Sequence, residues 1–175
     1  MQDESTKHKL LVLFVMEKFE TPISEDLLLT ICCIDNGWIP YLYCKQVINE
    51  LIKSAFISRS VTPGDNSSLL SITADGRSCI AYFYNDIPLS LQTEITVFIK
   101  ENRITYRKKQ EFVCDYFRNN DGTFTVALKI QDPSKVLLDL KIVVDSRALA
   151  TSIKNSWGHT APEVYKTLHD ILLES

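Results

Sequence analysis

The chain has 175 residues, 45% of them hydrophobic, which is enough apolar material for two modest cores. A formal net charge of −3 and a pI near 5.6 argue against a protein that coats nucleic acid non-specifically, because such binding depends on neutralising phosphates with lysine and arginine. Residues 1–86 carry 7 Lys and Arg against 11 Asp and Glu, hence −4, whereas residues 87–175 carry 12 against 11, hence +1. Any DNA contact therefore needs a local patch, and a symmetric pair of subunits would provide it twice.

The start of the chain, MQDESTKHK, mixes charges and lacks the basic end and apolar middle of a signal peptide. The longest apolar run, LLVLFVM, is too short to span a bilayer, so we expect a cytoplasmic protein without membrane contact. The cysteines form an odd set without C-x-x-C spacing, which predicts reduced, buried thiols rather than disulfides or a zinc site. They are Cys32, Cys33, Cys44, Cys79 and Cys114.

Two helices are predicted before residue 38. The first runs from Ser5 to Lys18 and has a wide apolar face. Ser24 fits the N-cap of the second, because its hydroxyl can accept a backbone N–H and the next two residues are acidic. The segment LLLTICCI would form this helix, which ends near Asn36-Gly37.

The most informative stretch is IPYLYCKQVINELIKSAFI, residues 39–57, with Pro40 suited to a first helical turn. Its apolar side chains recur at helical spacing and predict one buried stripe, formed by Leu42, Val47, Ile48, Leu51 and Ile52. Phenol, amide and ammonium groups that can reach phosphates and base edges are expected on the exposed side, at Tyr41, Tyr43, Lys45, Gln46, Asn49 and Lys53. An ordinary amphipathic helix with a solvated outer face is the alternative.

A hairpin and a fourth helix are predicted next. AFISRSV has alternating side chains and is followed by the turn-rich PGDNSS and a second extended run, LLSI, as in a two-stranded hairpin. Arg59 on this hairpin either binds a DNA phosphate or is an ordinary solvated surface arginine. Thr73 can cap a helix from Ala74 to about Asn85 that buries Ile80, Phe83 and Tyr84. Three helices, a hairpin and a helix follow the order of a winged helix-turn-helix.

The second half predicts a helix beginning at Pro88, then a three-stranded antiparallel sheet. The helix either connects two domains or pairs across a dimer axis. The strands are expected around Ile104, Tyr106 and Phe112–Tyr116, around Phe124–Ile130 and around Val136–Val144, with turns at NNDG and DPS. Two helices would cover one face of the sheet, one after Asp145 and one begun by the capping box Thr160–Glu163 with Pro162 in its first turn.

The expected fold class is therefore α+β, an N-terminal winged helix-turn-helix followed by a small antiparallel three-stranded sheet covered by helices. The expected domains are residues 1–86, resembling a DNA-binding module, and residues 87–175, which would dimerise or sense a ligand.

Motifs for catalysis are not recognisable in the sequence. The five glycines are too scattered for a Walker loop or a dinucleotide fingerprint, no GxSxG elbow is present, and His8, His159 and His169 do not form HExxH. We therefore expect no enzyme, no cofactor and no metal. Trp157, between the two predicted final helices, either walls a small-molecule pocket or is a core residue.

Four segments in this order resemble the uncharacterised bacterial family known as domain of unknown function 4364. They are HKLLVLFVM at His8, the helix from Tyr41 to Ile57, ITADGRSCIAYFYNDIP at Ile72, and the NSW and VYKTL elements near the C-terminus. Members of that family look like winged-helix transcriptional regulators, and the resemblance covers almost the whole chain. It implies a fold and a DNA-binding role, with no catalytic residues to transfer.

The resulting hypothesis is a cytoplasmic, homodimeric transcriptional regulator with an unidentified effector. It would bind double-stranded DNA through Tyr41, Tyr43, Lys45, Gln46, Asn49 and Lys53, with Arg59 on the wing. One alternative is a protein-interaction module whose winged helix no longer binds DNA, which the −4 charge of residues 1–86 favours. A third is a small-molecule sensor or an enzyme using the sheet domain.

Overall fold

A computed structural model describes residues 3–61 and 67–174 of the chain. Within these residues the fold is α+β, with six α-helices and two three-stranded antiparallel sheets. The chain divides into two compact units, one formed by described residues up to 106 and the other by residues 107–174. The expected domain boundary was 86/87, and the division lies later because much of a long helix packs into the first core.

The N-terminal unit contains the elements α1 Glu4–Phe19, β1 Ile23–Ser24, α2 Glu25–Leu29, a π-helix Thr30–Asp35, α3 Tyr41–Lys53, β2 Ile57–Val61, β3 Ser68–Ile72, α4 Ala74–Tyr82, a 3₁₀ turn Tyr84–Asp86 and most of α5 Leu89–Glu111. The C-terminal unit contains β4 Phe112–Arg118, β5 Phe124–Gln131, β6 Val136–Val144 and α6 Arg147–Leu173.

Helix α1 is the centre of the N-terminal core. All seven residues from Leu10 to Met16 are buried, as is Phe19, so the middle of this helix is covered on every side. A helix that is apolar all round is stable only when other elements surround it. Its charged residues are confined to the two ends, around Glu4 and Lys18.

The two predicted N-caps are confirmed. The Ser24 hydroxyl accepts a hydrogen bond from the Leu27 N–H at 3.2 Å and begins α2. The Thr73 hydroxyl accepts from the Gly76 N–H at 3.1 Å and donates to the Ala55 carbonyl at 2.7 Å. Thr73 therefore starts α4 and also joins it to the chain that leaves α3.

The hairpin pairs β2 with β3 in antiparallel register from Ile57 opposite Ile72 to Val61 opposite Ser68, and β1 adds to the other edge of β3. Most of the predicted PGDNSS turn lies in residues 62–66, outside the described residues. Helix α4 is shorter than predicted. Ile80 is buried, but Phe83 and Tyr84 follow the helix and remain 39% and 41% exposed.

Helix α5 extends through residues predicted to form a strand. Ile104 and Tyr106 alternate with polar neighbours, yet Tyr106 packs into the N-terminal core with Ile95 and Ile99 at helical spacing. Its hydroxyl donates a hydrogen bond to the Asp35 carboxylate. Burial and this bond outweigh an alternation of only two apolar residues, so the first strand begins at Phe112.

We expect Tyr106→Phe to lower the free energy of unfolding at neutral pH by about 1–2 kcal/mol, because Asp35 loses a donor. Burial, then the Asp35 carboxylate, raises the pKa of Tyr106. The folded chain therefore holds this proton more tightly than the unfolded chain. The contribution is complete below the ordinary tyrosine pKa of about 10 and is lost as pH rises towards the folded pKa.

Urea unfolding of the two chains between about pH 8 and pH 11 tests this prediction. The native chain should lose stability with rising pH more steeply than Tyr106→Phe, whereas Tyr82→Phe, at a side chain 82% exposed, should behave like the native chain. Parallel pH curves for all three chains would contradict it.

The predicted sheet is confirmed in the C-terminal unit, where β5 pairs antiparallel with β4 and β6. Side chains alternate along β5, and its buried members are those predicted, Phe124, Val126, Leu128 and Ile130. Both turns also form: Gly122 has a positive φ of 89°, and the Asp132 carboxylate accepts from the Ser134 N–H at 2.7 Å.

The two predicted final helices are one continuous helix, α6, with Pro162 inside it. The predicted break at the capping box is wrong because apolar residues continue across it at helical spacing. This stripe packs on the sheet and consists of Ala150, Ile153, Trp157, Ala161, Val164 and Tyr165. A turn between residues 156 and 160 would rotate the second half of the stripe away from the sheet.

The five cysteines are free thiols. In the described part of the chain, no helix combines the length and the apolar character needed to cross a bilayer.

Candidate nucleic-acid interface

Helix α3 is oriented by the face that it buries. Cys44, Val47, Ile48 and Leu51 are all at most 3% exposed and belong to the N-terminal core. Leu42 was predicted to join them but is 79% exposed, because it lies nearly opposite the buried stripe. The outer face of α3 therefore has an aliphatic side chain at its centre.

The polar residues predicted on α3 occupy different parts of its exposed surface. Lys45, Gln46, Asn49 and Lys53 surround Leu42 on the outer face. Among the described residues, Lys45 and Asn49 have no side-chain hydrogen bond or ion pair, so both remain available to a ligand.

The two tyrosines lie on opposite flanks of this face. Tyr41 is 47% exposed and Tyr43 is 60% exposed. Tyr43 faces α1, where its ring lies 6.2 Å from the ring of His8. It also borders a groove of about 410 Å³ lined by Asp3, Glu4, Ser5, His8, Pro40, Gln46 and Val47. Carboxylates at the edge of this groove make the Tyr43 flank less favourable for phosphate than the outer face.

Glu50 is the acidic residue of α3, and its charge is balanced within the unit. The Lys9 ammonium of α1 lies 2.8 Å from the Glu50 carboxylate, and the Gln46 amide donates to it at 2.9 Å. Hydrogen bonds from Lys9 first, then from Gln46, lower the pKa of Glu50. The carboxylate is therefore ionised at neutral pH, with Lys9 as its closest cation and a weaker attraction to Lys53, and Lys45 remains the lysine of the exposed face that does not act on it.

Arg59 on β2 is engaged inside the N-terminal unit. Its guanidinium lies 2.7 Å from the Glu25 carboxylate and donates to the Ser68 hydroxyl at 3.0 Å. It joins the hairpin to the start of α2, with its side chain 36% exposed. A phosphate would have to share this guanidinium with Glu25.

Trp157 is 2% exposed in the core of the C-terminal unit, and its indole N–H donates to the Lys129 carbonyl at 3.2 Å. It is therefore a core residue rather than the wall of an open pocket.

A cluster of thiols beneath α3 was not predicted from the sequence. Cys32 and Cys33 of the π-helix both hydrogen-bond to Cys44 of α3. The hydrogen bond from Cys32 lowers the pKa of Cys44. Burial is the main cause that raises the pKa of Cys33 to about 12. The sequence shows only that Cys32 and Cys33 are adjacent, and the third member comes from another helix.

Comparison with known proteins relates the chain to one family. No curated protein sequence matches it. A family profile described as Domain of unknown function (DUF4364) matches residues 8–172, nearly the whole chain. The family resemblance inferred from the four sequence segments is thus confirmed. The chain belongs to this DUF4364 family.

Proposed function

We propose that the N-terminal unit is a winged helix-turn-helix and that the protein is a DNA-binding transcriptional regulator acting as a dimer. Three features support this proposal: α3 follows α2 and its π-helical continuation after a short connection at residues 36–40, the β2–β3 hairpin follows α3, and α4 comes after the hairpin. In this proposal α3 is the recognition helix and the hairpin is the wing.

The single observation that carries the proposal is the outer face of α3. Lys45, Asn49 and Lys53 are exposed together on the side opposite the buried stripe. An α-helix fits the major groove of B-DNA, where ammonium groups reach phosphates and an asparagine amide can bond adenine in a bidentate manner. Because Glu50 is matched by Lys9, its charge opposes this contact less than the sequence suggests.

The seven predicted contacts have different expected roles. Lys45 and Lys53 would neutralise phosphates, and Asn49 would read a base edge. Tyr41 and Gln46 lie at the edge of the contact, and Tyr43 lies beside the acidic groove. Arg59 contributes only if its guanidinium binds a phosphate as well as Glu25.

We expect Lys45→Glu/Lys53→Glu to weaken sequence-selective DNA binding strongly. The native chain should enrich one sequence from a genomic selection at low salt, with an affinity that falls as salt rises. Two lost phosphate contacts in each subunit should weaken binding and make the salt slope shallower by about one per contact. Binding by fluorescence anisotropy across a salt series measures both effects.

The matched control is Lys141→Glu/Lys166→Glu, which makes the same charge change at two exposed lysines of the C-terminal unit. It should keep the selected sequence and most of the salt slope. Absence of any enriched sequence for the native chain at low salt would overturn the proposal.

A second candidate function is a protein-interaction module built on the same fold. Leu42 favours it, because a side chain 79% exposed at the centre of the outer face suits an apolar contact better than a phosphate. Leu42→Ser should then release a stable co-purifying partner, while Lys45→Glu/Lys53→Glu keeps it. The opposite pattern, with DNA lost and no partner affected, favours the regulator.

In this proposal residues 87–175, which include α5 and the C-terminal unit, dimerise or sense a ligand. The sheet of the C-terminal unit has one face covered by α6, and the other face contains the exposed Phe117 and Val143. A thermal-shift screen that finds no stabilising small molecule would argue against sensing.

A further inference from the structure

Helix α5 exposes a stripe of side chains along one side. Leu89 is 75% exposed, Val97 48% and Ile104 62%, and Thr93 and Lys100 lie between them. These five residues recur every three or four positions, so they form one line on the helix surface. The opposite side of α5 is buried in the N-terminal core. The helix is therefore buried on one side and exposes three apolar side chains on the other.

A shallow cleft adjoins the first half of this stripe. Its volume is about 220 Å³. It is lined by Tyr84, Leu89, Gln92, Thr93, Thr96 and Val97. The second half of the stripe ends in Ile104, which projects into solvent.

We propose that α5 is a homodimer interface, in which it packs antiparallel against α5 of a second copy about a twofold axis between Thr96 and Val97. This register places Leu89 opposite Ile104 of the second copy, and Thr93 opposite Lys100 of the second copy. Each Ile104 then covers the cleft beside Leu89 on the other chain. The symmetry makes both halves of the contact identical, as a twofold interface requires.

Self-complementarity identifies the occupant as a second copy of this chain. The stripe supplies both the projecting side chain and the cleft that receives it. Lys100, the charged member of the stripe, faces the Thr93 hydroxyl, so this register sets no like charges opposite each other. The two helix dipoles also run in opposite directions, which favours the pair slightly.

The size of the stripe sets the expected strength of the dimer. From Leu89 to Ile104 the helix is about 22 Å long at 1.5 Å per residue. A contact of this length, made by one helix from each chain, is small compared with the standard interface of about 800 Å² per partner. The dimer should therefore dissociate reversibly on dilution.

This inference rests on the proposed function in one respect, since a dimer would present two α3 helices to the half-sites of an operator. Its structural basis is independent of α3.

Sedimentation velocity of the full chain over a concentration series tests the interface. The native chain should shift from monomer to dimer as concentration rises. Val97→Glu should remain monomeric at concentrations where the native chain is mostly dimeric, because two carboxylates would meet at the axis. Circular dichroism should stay unchanged, since Val97 is half exposed, and the two melting temperatures should agree at concentrations where both chains are monomeric.

The matched control is Val61→Glu, which introduces the same charge at a 68% exposed valine on β2 and should leave self-association intact. A native chain that is monomeric throughout, or a Val97→Glu chain that dimerises normally, would overturn the proposal.

Cysteine cross-linking tests the register. Leu89→Cys and Ile104→Cys chains, mixed and mildly oxidised, should give a disulfide-linked dimer. Neither variant alone should form this dimer, and the native chain should not form it either. A disulfide between two Leu89→Cys chains would indicate parallel helices and overturn the antiparallel register.

DNA selection separates the two proposals. A chain that binds a selected sequence but never dimerises refutes this interface and the dimeric part of the proposed function, and it leaves DNA binding supported. A chain that dimerises through α5 but enriches no DNA refutes the proposed function alone.

Discussion

Gly76→Ala is expected to lower the free energy of unfolding of the N-terminal unit by about 3 kcal/mol, at the upper end of the usual range for overpacked sites. A Cβ at this position would lie 2.3 Å from the Phe56 carbonyl oxygen and 2.9 Å from Cγ1 of Ile72. The nearer obstacle is backbone, and the Thr73 N–H bonds the same carbonyl at 3.0 Å. The methyl group can therefore be accommodated only if α4 moves away from Phe56 and from Ile72 at the end of β3.

Gly158→Ala is the matched control, because nothing lies within 4 Å of a Cβ at that position. Gly158 is inside α6, where alanine is more favourable than glycine by about 1 kcal/mol. Urea unfolding monitored by circular dichroism should therefore show one destabilised and one slightly stabilised chain. Equal midpoints for Gly76→Ala and the native chain would contradict the close approach.

Trp157→Ala is expected to cost about 3–5 kcal/mol in the C-terminal unit, the usual range for removing a buried large aromatic side chain. Trp157 packs with buried residues of β5 and α6 and is only 2% exposed. Its indole also bonds the Lys129 carbonyl. A cavity here would separate α6 from the centre of the sheet.

Trp157→Phe keeps most of the ring and removes the hydrogen-bond donor, so it should cost clearly less, about 1–2 kcal/mol. Both variants leave Trp38 as the remaining tryptophan of the chain. Its fluorescence then reports the N-terminal unit, while circular dichroism reports both units. The packing argument fails if the alanine and phenylalanine chains unfold at the same urea concentration.

Local signals in the sequence were sufficient for much of the fold. Ser24 and Thr73 were identified as caps because a hydroxyl before a helix satisfies backbone N–H groups from residues close in sequence. The strand β5 was identified because its alternation repeats over eight residues. In both cases the signal is contained in a short stretch of sequence, either as a cap and the helix that follows it or as a regular alternation.

The differences arise where contacts between distant segments decide the conformation. Tyr106 is helical because Asp35 and the first core hold it, and neither is visible near residue 106 in the sequence. Pro162 fails to start a helix because the sheet continues beneath it. Leu42 was assigned to the buried stripe from spacing alone, and the neighbours of α3 cover only the other side.

The candidate interface was predictable only as a set of residue types. Lys45, Asn49 and Lys53 lie on one exposed face, as the helical period implies. The pairing of Glu50 with Lys9 and of Arg59 with Glu25 joins segments far apart in sequence. These ion pairs determine which charges remain available, so the electrostatic character of the face depends on tertiary structure.

The proline inside α6 has a consequence for how the C-terminal unit folds. Pro162 has no amide hydrogen, so the hydrogen-bond ladder of α6 is interrupted one turn after Gly158. Without the sheet, α6 would separate into pieces of about 15 and 12 residues, lengths at which isolated helices are marginal in water. Helix and sheet must therefore form together, in one cooperative step, instead of a preformed helix docking onto a finished sheet.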